Sequence, residues 1–217
     1  MNKGKLIVFE GPDFCGKSTQ IKLIMQNLKN NMVLYTREPG SFLPESKDKC
    51  EELRNELLNT QCNEYKEAIL FAASRFYHTM EIVDLINKGY NIICDRYIIS
   101  SLAYQGYAQE LGCDGIYAVN ESALDLLKEN QVPIYCFRFK LPKEIWLERK
   151  NKRLDDYSAD SIESKDIHDK VFEFYDNDQI FEEYTYKLHL FTHNVDASLN
   201  IEEMHEYIMK YINILIK

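Results

Sequence analysis

The chain has 217 residues, 45% of them hydrophobic and 28% charged, which suits one domain over 1–217 with a sizeable core. A net charge of -9 argues against a general affinity for nucleic-acid polymers, whose phosphates want a basic face, but not against nucleotides, which need only a local positive pocket. No apolar run approaches about 18 residues and no signal-like segment opens the chain, so neither a membrane span nor export is expected, and the cytoplasm is the default.

In chain order, residues 5–9 read as a strand and 17–28 as a helix. Between them runs Gly11-Pro12-Asp13-Phe14-Cys15-Gly16-Lys17-Ser18-Thr19, of the form G-x-x-x-x-G-K-S. A strand, this loop and a helix together predict a phosphate-binding loop. Gly11 and Gly16 let the backbone turn tightly and bring its N–H groups to an anion, and the helix start adds its positive dipole end. Lys17 is suited to reach terminal phosphates, and the Ser18 hydroxyl to ligate Mg²⁺.

Residues 32–36 are the second strand, 45–58 a helix, and 64–87 a long helix ended by Gly89. Tyr65, Ile69, Ala72, Phe76, Met80 and Val83 recur along the long helix every three or four positions and form its apolar stripe. A third strand is expected over 90–94, helices over 100–111 and 117–128, and a fourth strand over 134–139. A helix over 142–152 begins with Pro142 in its first turn. The last strand covers 188–195. The last helix, 201–216, carries Ile201, Met204, Ile208, Tyr211 and Leu215 on one face. Near-continuous apolar strands alternating with helices predict an α/β fold: three α/β/α layers around a parallel five-stranded sheet. Residues 153–169 are polar and without clean periodicity, and read as a mobile surface segment that begins in the basic cluster Arg149, Lys150, Lys152 and Arg153.

Six cysteines stand at 15, 50, 62, 94, 113 and 136, none in a C-x-x-C pair or at zinc-ligand spacing with histidine, so reduced thiols are expected. Cys15 lies near a helix N-terminus, where thiols ionise more readily, but reads first as a passive loop residue.

Four further segments join the loop. They are Thr36-Arg37-Glu38-Pro39-Gly40 after strand 2, Leu70-Phe71-Ala72-Ala73-Ser74-Arg75 in the long helix, Asp95-Arg96-Tyr97 after strand 3, and Ser100-Ser101-Leu102-Ala103-Tyr104-Gln105-Gly106 beyond it. In a parallel sheet, ligands sit outside the carboxyl ends of the strands, where strands 1, 2 and 3 all release these charged residues. With the loop, the segments resemble the thymidylate kinases of the P-loop nucleoside-monophosphate kinase group. The resemblance covers nearly the whole chain and is strongest from Lys5 to Gly106.

The resemblance implies transfer of the γ-phosphoryl group of ATP to dTMP, with Mg²⁺ as cofactor, and a homodimer. It places ATP on Gly11, Cys15, Gly16, Lys17, Ser18, Thr19 and Arg149, and Mg²⁺ near Ser18 and Asp95, with Asp95 either positioning the ion through water or holding the acceptor-side network. Arg37 and Arg96 would hold the acceptor phosphate, a task that suits the planar, permanently charged guanidinium. Asp13 would reach the sugar 3′-hydroxyl. Phe71 would stack on thymine and Arg75 would donate to its 4-oxo group; alone, Phe71 on a long helix reads as core and Arg75 as an ion-paired residue. Ser101, Tyr104, Gln105 and Tyr157 would line the acceptor, with the Tyr104 ring filling the space of a ribose 2′-hydroxyl.

Where some members carry an arginine in the phosphate loop this chain has Phe14, so the cation would come from a lid over about 149–165, chiefly Arg153. Lys17, Arg37, Asp95, Arg96 and Arg153 are thus the expected catalytic set. Glu10 reads as structural. The family often has a glutamate where this chain has Ser158, and Gly-Gly-Thr where it has Gly40-Ser41. A kinase for another monophosphate or for a deoxynucleoside is the nearest rival. A non-catalytic nucleotide-binding regulator is the rival from another class.

Overall fold

Strand β1 (Leu6–Glu10) is buried along its whole length and pairs in parallel with β3 (Asn91–Asp95) on one side and β4 (Ile134–Lys140) on the other. The outer strands are β2 (Val33–Arg37) beside β3 and β5 (Phe191–Asp196) beside β4, giving one parallel sheet of order β2-β3-β1-β4-β5. The computed structural model describes residues 3–28, 32–42, 52, 53, 56, 63–154 and 165–217, without the side chains of 153, 154, 165 and 166. The expected helix over 45–58 lies mostly outside them.

The period of two along β1 sends alternate side chains to opposite faces. Leu6 and Val8 join one apolar cluster with Ile82, Ile92, Leu102 and Phe174. Ile7 and Phe9 join another with Ile24, Phe137, Trp146 and Ile208. The sheet is therefore covered on both faces, which is why its central strands read as unbroken apolar runs.

The helices are α1 (Lys17–Asn27), α2 (Glu64–Asn87), α3 (Ile98–Ser101), α4 (Cys113–Val119), α5 (Glu121–Glu129), α6 (Lys143–Leu154), α7 (Lys165–Asp176), α8 (Asp178–Lys187) and α9 (Ile201–Leu215). The chain leaves α3 as a π-helical stretch over Leu102–Ala108, a rare geometry that gathers at functional sites.

Several expectations are corrected. Along α2, Ala72 and Val83 of the expected stripe are buried, but Tyr65, Ile69 and Met80 are exposed, and the buried face also carries Ala68, Arg75, Thr79, Ile82 and Ile86. The buried face mixes Ala68, Ala72, Ile82, Val83 and Ile86 with Ser74, Arg75, His78, Thr79 and Glu81, so apolar periodicity alone does not mark it. On α9, Ile201 is exposed and Ile212 lies at the centre of the buried face instead of Tyr211. The helix expected over 117–128 is broken at Asn120, which ends α4 and starts α5. Leu188 caps α8, and β5 starts only at Phe191.

Residues 165–169, read as part of a mobile surface segment, form the first turns of α7. That helix buries Val171, Phe172, Phe174 and Tyr175 in both clusters. Arg138 of β4 holds α7 and α8 together: its guanidinium bonds Tyr175 O and Asp178 and lies 4.0 Å from the Phe181 ring centroid.

Candidate active site

β1 lies where the strand order changes direction, with β3 on one side and β4 on the other, so a crevice opens outside its carboxyl end. The phosphate loop fills this point. Gly11 has φ 154°, and a Cβ there would sit 2.9 Å from the Phe139 Cβ, so only glycine fits the approach to β4. Gly16 has φ 97° and precedes α1, whose N-terminus has no side-chain cap. Its first N–H groups are left for an outside acceptor, as an anion site requires.

Lys17 is almost fully buried and its ammonium donates to Gly11 O at 2.8 Å and Pro12 O at 2.7 Å. Ser18, exposed at the head of α1, donates its hydroxyl to Asp95 Oδ2 at 2.9 Å. Asp95 Oδ1 is buried without a hydrogen-bond partner among the described residues. Thr19 is exposed beside Ser18, whereas Cys15 is fully buried and packs in the core.

At the end of β3 the chain turns sharply, with Arg96 at φ 67°. The Arg96 guanidinium then reaches back to the phosphate loop. It donates to Gly11 O at 3.1 Å, to Ser100 Oγ at 3.0 Å and, in a short contact, to Asp13 Oδ1. The Tyr104 hydroxyl, from the π-helical stretch, donates to the other Asp13 oxygen, and its ring lies 5.3 Å from Arg96. His168 Nδ1 of α7 comes within 3.4 Å of the same oxygen, and the sole tryptophan, Trp146, donates to Asp13 O at 2.9 Å. Burial by itself pushes the Asp13 carboxyl up, but the charge of Arg96, the His168 contact, Lys17 and the Tyr104 hydroxyl outweigh it and hold the group well below the usual carboxylate range.

Glu10 sits beneath this cluster, fully buried. It accepts from Tyr97 N at 2.7 Å, Ser100 Oγ at 2.8 Å and Tyr175 OH at 2.7 Å. Burial raises its pKa, opposed by these donors and by Arg96. Each donor comes from an element at the crevice, so Glu10 ties β1 to the exit of β3, to α3 and to α7.

On the acceptor side, Arg37 ends β2, exposed and in register with Asp95. Arg75 is buried to 3% exposure, and its guanidinium donates to Glu38 Oε2 at 2.6 Å, Asn120 Oδ1 at 2.5 Å and Ser101 Oγ at 2.9 Å. Phe71, one turn before it, is half-buried and joins neither apolar cluster. Gln105 is buried and gives its amide to Glu67 Oε1 at 2.8 Å. Arg149 Nη1 lies 3.5 Å from Cys15 O, against the loop. The Arg153 side chain and Tyr157 lie outside the described residues.

The structure thus gathers Gly11, Asp13, Gly16, Lys17, Ser18, Asp95, Arg96, Tyr104 and Arg149 around one crevice and joins Arg75 to Ser101. Glu38, Asn120, Trp146, His168 and Tyr175 were not singled out from the sequence. Only Glu38 carried a signal, its place directly after Arg37 in the Arg-Glu-Pro segment.

Comparison with known proteins gives a consistent result. A sequence model described as thymidylate kinase matches residues 9–208. The thymidylate kinase of Clostridium novyi strain NT is 37% identical over 182 residues, covering 81% of this chain and 84% of that protein. That of Geobacillus sp. strain WCH70 is 39% identical over 181 residues, covering 80% and 81%. The crystal structure of thymidylate kinase from Ehrlichia chaffeensis superposes with a TM-score of 0.64 at 24% identity, covering 97% of this chain and 99% of that one, and shows a shared fold.

Proposed function

This chain belongs to the thymidylate kinase family and phosphorylates dTMP with ATP as donor, and we propose that the crevice at the carboxyl ends of β1, β2 and β3 carries out the transfer. The observation that carries this proposal is the closure of the phosphate loop onto the end of β3 through Ser18–Asp95 and Asp13–Arg96. Donor and acceptor groups thereby face each other across the space between α1 and α3.

Phosphoryl transfer asks mainly for positioning and charge neutralisation. The uncapped N-terminus of α1 and the loop N–H groups receive the ATP phosphates, with Gly11, Gly16, Ser18 and Thr19 forming the cradle. Lys17, stored against Gly11 O and Pro12 O, exchanges those carbonyls for phosphate oxygens. Arg96 and Arg37 hold the dTMP phosphate, whose own anionic oxygen is the nucleophile, so no strong general base is needed. Asp13, kept ionised, accepts the sugar 3′-hydroxyl, while the Tyr104 ring beside it disfavours a ribose. Phe71 stacks on thymine, and Arg75 with Ser101 meets its edge. Arg149, already on the loop, and Arg153, one helical turn further along α6, bring positive charge to the transferring group as the lid closes.

Ser18 and Asp95 fit a magnesium site. A hydroxyl and a carboxylate lie side by side, and Asp95 Oδ1 is a buried oxygen without a partner among the described residues. That sparse donor set suits an ion that takes most of its ligands from phosphates and water. Bound there, Mg²⁺ would neutralise charge developing on the transferring phosphoryl oxygens.

We also propose a homodimer formed through α2, whose exposed Tyr65, Ile69 and Met80 make an apolar stripe at 68%, 59% and 49% exposure. Free thiols at Cys15, Cys94, Cys113 and Cys136 support a cytoplasmic setting. Among the described residues no helix is long and apolar enough to cross a membrane.

A coupled ADP-release assay over a panel of monophosphates tests the acceptor. Turnover with dTMP far above dCMP and dAMP is expected. Equal turnover with several monophosphates would support a broad-specificity kinase instead.

A further inference from the structure

The base-side arginine is not free to choose its position, and the residue that holds it belongs to the acceptor loop. Arg75 Nε donates to Glu38 Oε2 at 2.6 Å, and the two side chains are 3% and 5% exposed. The other Glu38 oxygen lies 3.3 Å from His78 Nδ1. His78 Nε2 is in turn 2.8 Å from Thr36 Oγ1, on β2. The Glu38 backbone N–H donates to Asp95 O at 3.1 Å, fixing the loop to the end of β3. Asn120 and Ser101 each take one further N–H from Arg75, one on each terminal nitrogen. A guanidinium has five N–H donors, so among the described residues two remain, one on each terminal nitrogen.

We infer that Glu38 is a specificity-positioning residue. It clamps Arg75 by its Nε so that the two unspent N–H groups present a fixed donor pair to position 4 of the pyrimidine. A loose arginine can turn away from cytosine's amino group and spend its donors on water, which erodes discrimination. A clamped one cannot, and cytosine then leaves a buried donor unpaired. The buried carboxylate also offsets the buried guanidinium charge, which suits a pair held in place and not drawn from solvent. The inference depends on Arg75 reading the base, and the test separates the two claims.

The experiment measures kcat/KM for dTMP and dCMP in wild type, Glu38→Gln, Arg75→Met and the double variant Glu38→Gln/Arg75→Met. Glu38→Gln keeps the shape and one acceptor oxygen but drops the charge that fixes the clamp. The expected result is a dTMP/dCMP ratio at least tenfold lower in Glu38→Gln, with the KM for ATP within twofold of wild type. In the double variant the ratio should match that of Arg75→Met alone within threefold, because Glu38 acts on base choice only through Arg75.

If Glu38→Gln does not fold because an uncompensated buried cation remains, the double variant removes both charges and the comparison with Arg75→Met still decides. A further change there of more than threefold would overturn the inference. An unchanged ratio in Glu38→Gln beside a collapsed ratio in Arg75→Met would also overturn it while leaving Arg75 as the base reader. An unchanged ratio in Arg75→Met would overturn both.

Discussion

The Ser18 hydroxyl donates to Asp95 Oδ2 at 2.9 Å, joining the first turn of α1 to the end of β3 across 77 positions of sequence. If this pair is the magnesium site, Ser18→Ala should raise the Mg²⁺ concentration for half-maximal activity about tenfold, the effect of losing roughly 1.4 kcal/mol of ligand interaction. The KM for dTMP should stay close to wild type. Magnesium titrations at saturating ATP and dTMP measure this. An unchanged half-saturation point would make the pair a structural clasp between helix and strand.

The lid is expected to supply the cation that Phe14 does not. Arg153→Ala should lower kcat about tenfold or more while dTMP binding changes little, because the contact matters most as charge spreads during transfer. Steady-state kinetics and dTMP titration separate the two effects. An unchanged kcat would assign the role to Arg149, which already lies 3.5 Å from the Cys15 carbonyl.

Asp13 makes stability depend on pH. Its carboxyl is held well below the usual range: burial opposes this, and Arg96, His168, Lys17 and Tyr104 together override it. A carboxyl depressed on folding contributes stability that is fully present above its unfolded pKa and is lost as pH falls through its folded one. Asp13→Asn should therefore melt below wild type near neutrality, and the gap should close as pH falls through the acid range. Melting curves across that range check this, and parallel curves would refute it.

Along α2, Ile69→Lys places a charge in the middle of the exposed Tyr65–Ile69–Met80 stripe. Wild type should sediment as a dimer and the variant as a folded monomer, since a buried unpaired charge opposes association. Equal sedimentation of the two proteins would remove α2 from any interface.

The phosphate loop was legible because its chemistry lies in adjacent residues: Gly11, Gly16, Lys17 and Ser18 each answer a local requirement of backbone or anion. The α2 stripe matches the buried side only in part, at Ala72 and Val83, because half of the side chains buried there, among them Arg75, His78 and Glu81, are polar and leave no apolar period. The helix α7 was missed although Val171, Phe172, Phe174 and Tyr175 are spaced for a buried face, because the polar stretch ahead of them hides its start. The roles of Asn120 and His168 left no signal in the sequence, and that of Glu38 only its place directly after Arg37. Each depends on a contact between elements far apart in the chain, such as Asp13 with His168 or Arg75 with Asn120, and no spacing encodes it.

Lys17, held in the loop by Gly11 O and Pro12 O, is expected to stabilise the transferring phosphoryl group. The most direct measurement is kcat for Lys17→Ala together with the dissociation constant for dTMP. Lys17→Ala is expected to fold with kcat reduced about a hundredfold or more, as when a transition-state charge partner is lost, and with dTMP binding nearly unchanged. Near-wild-type turnover in this variant would contradict it.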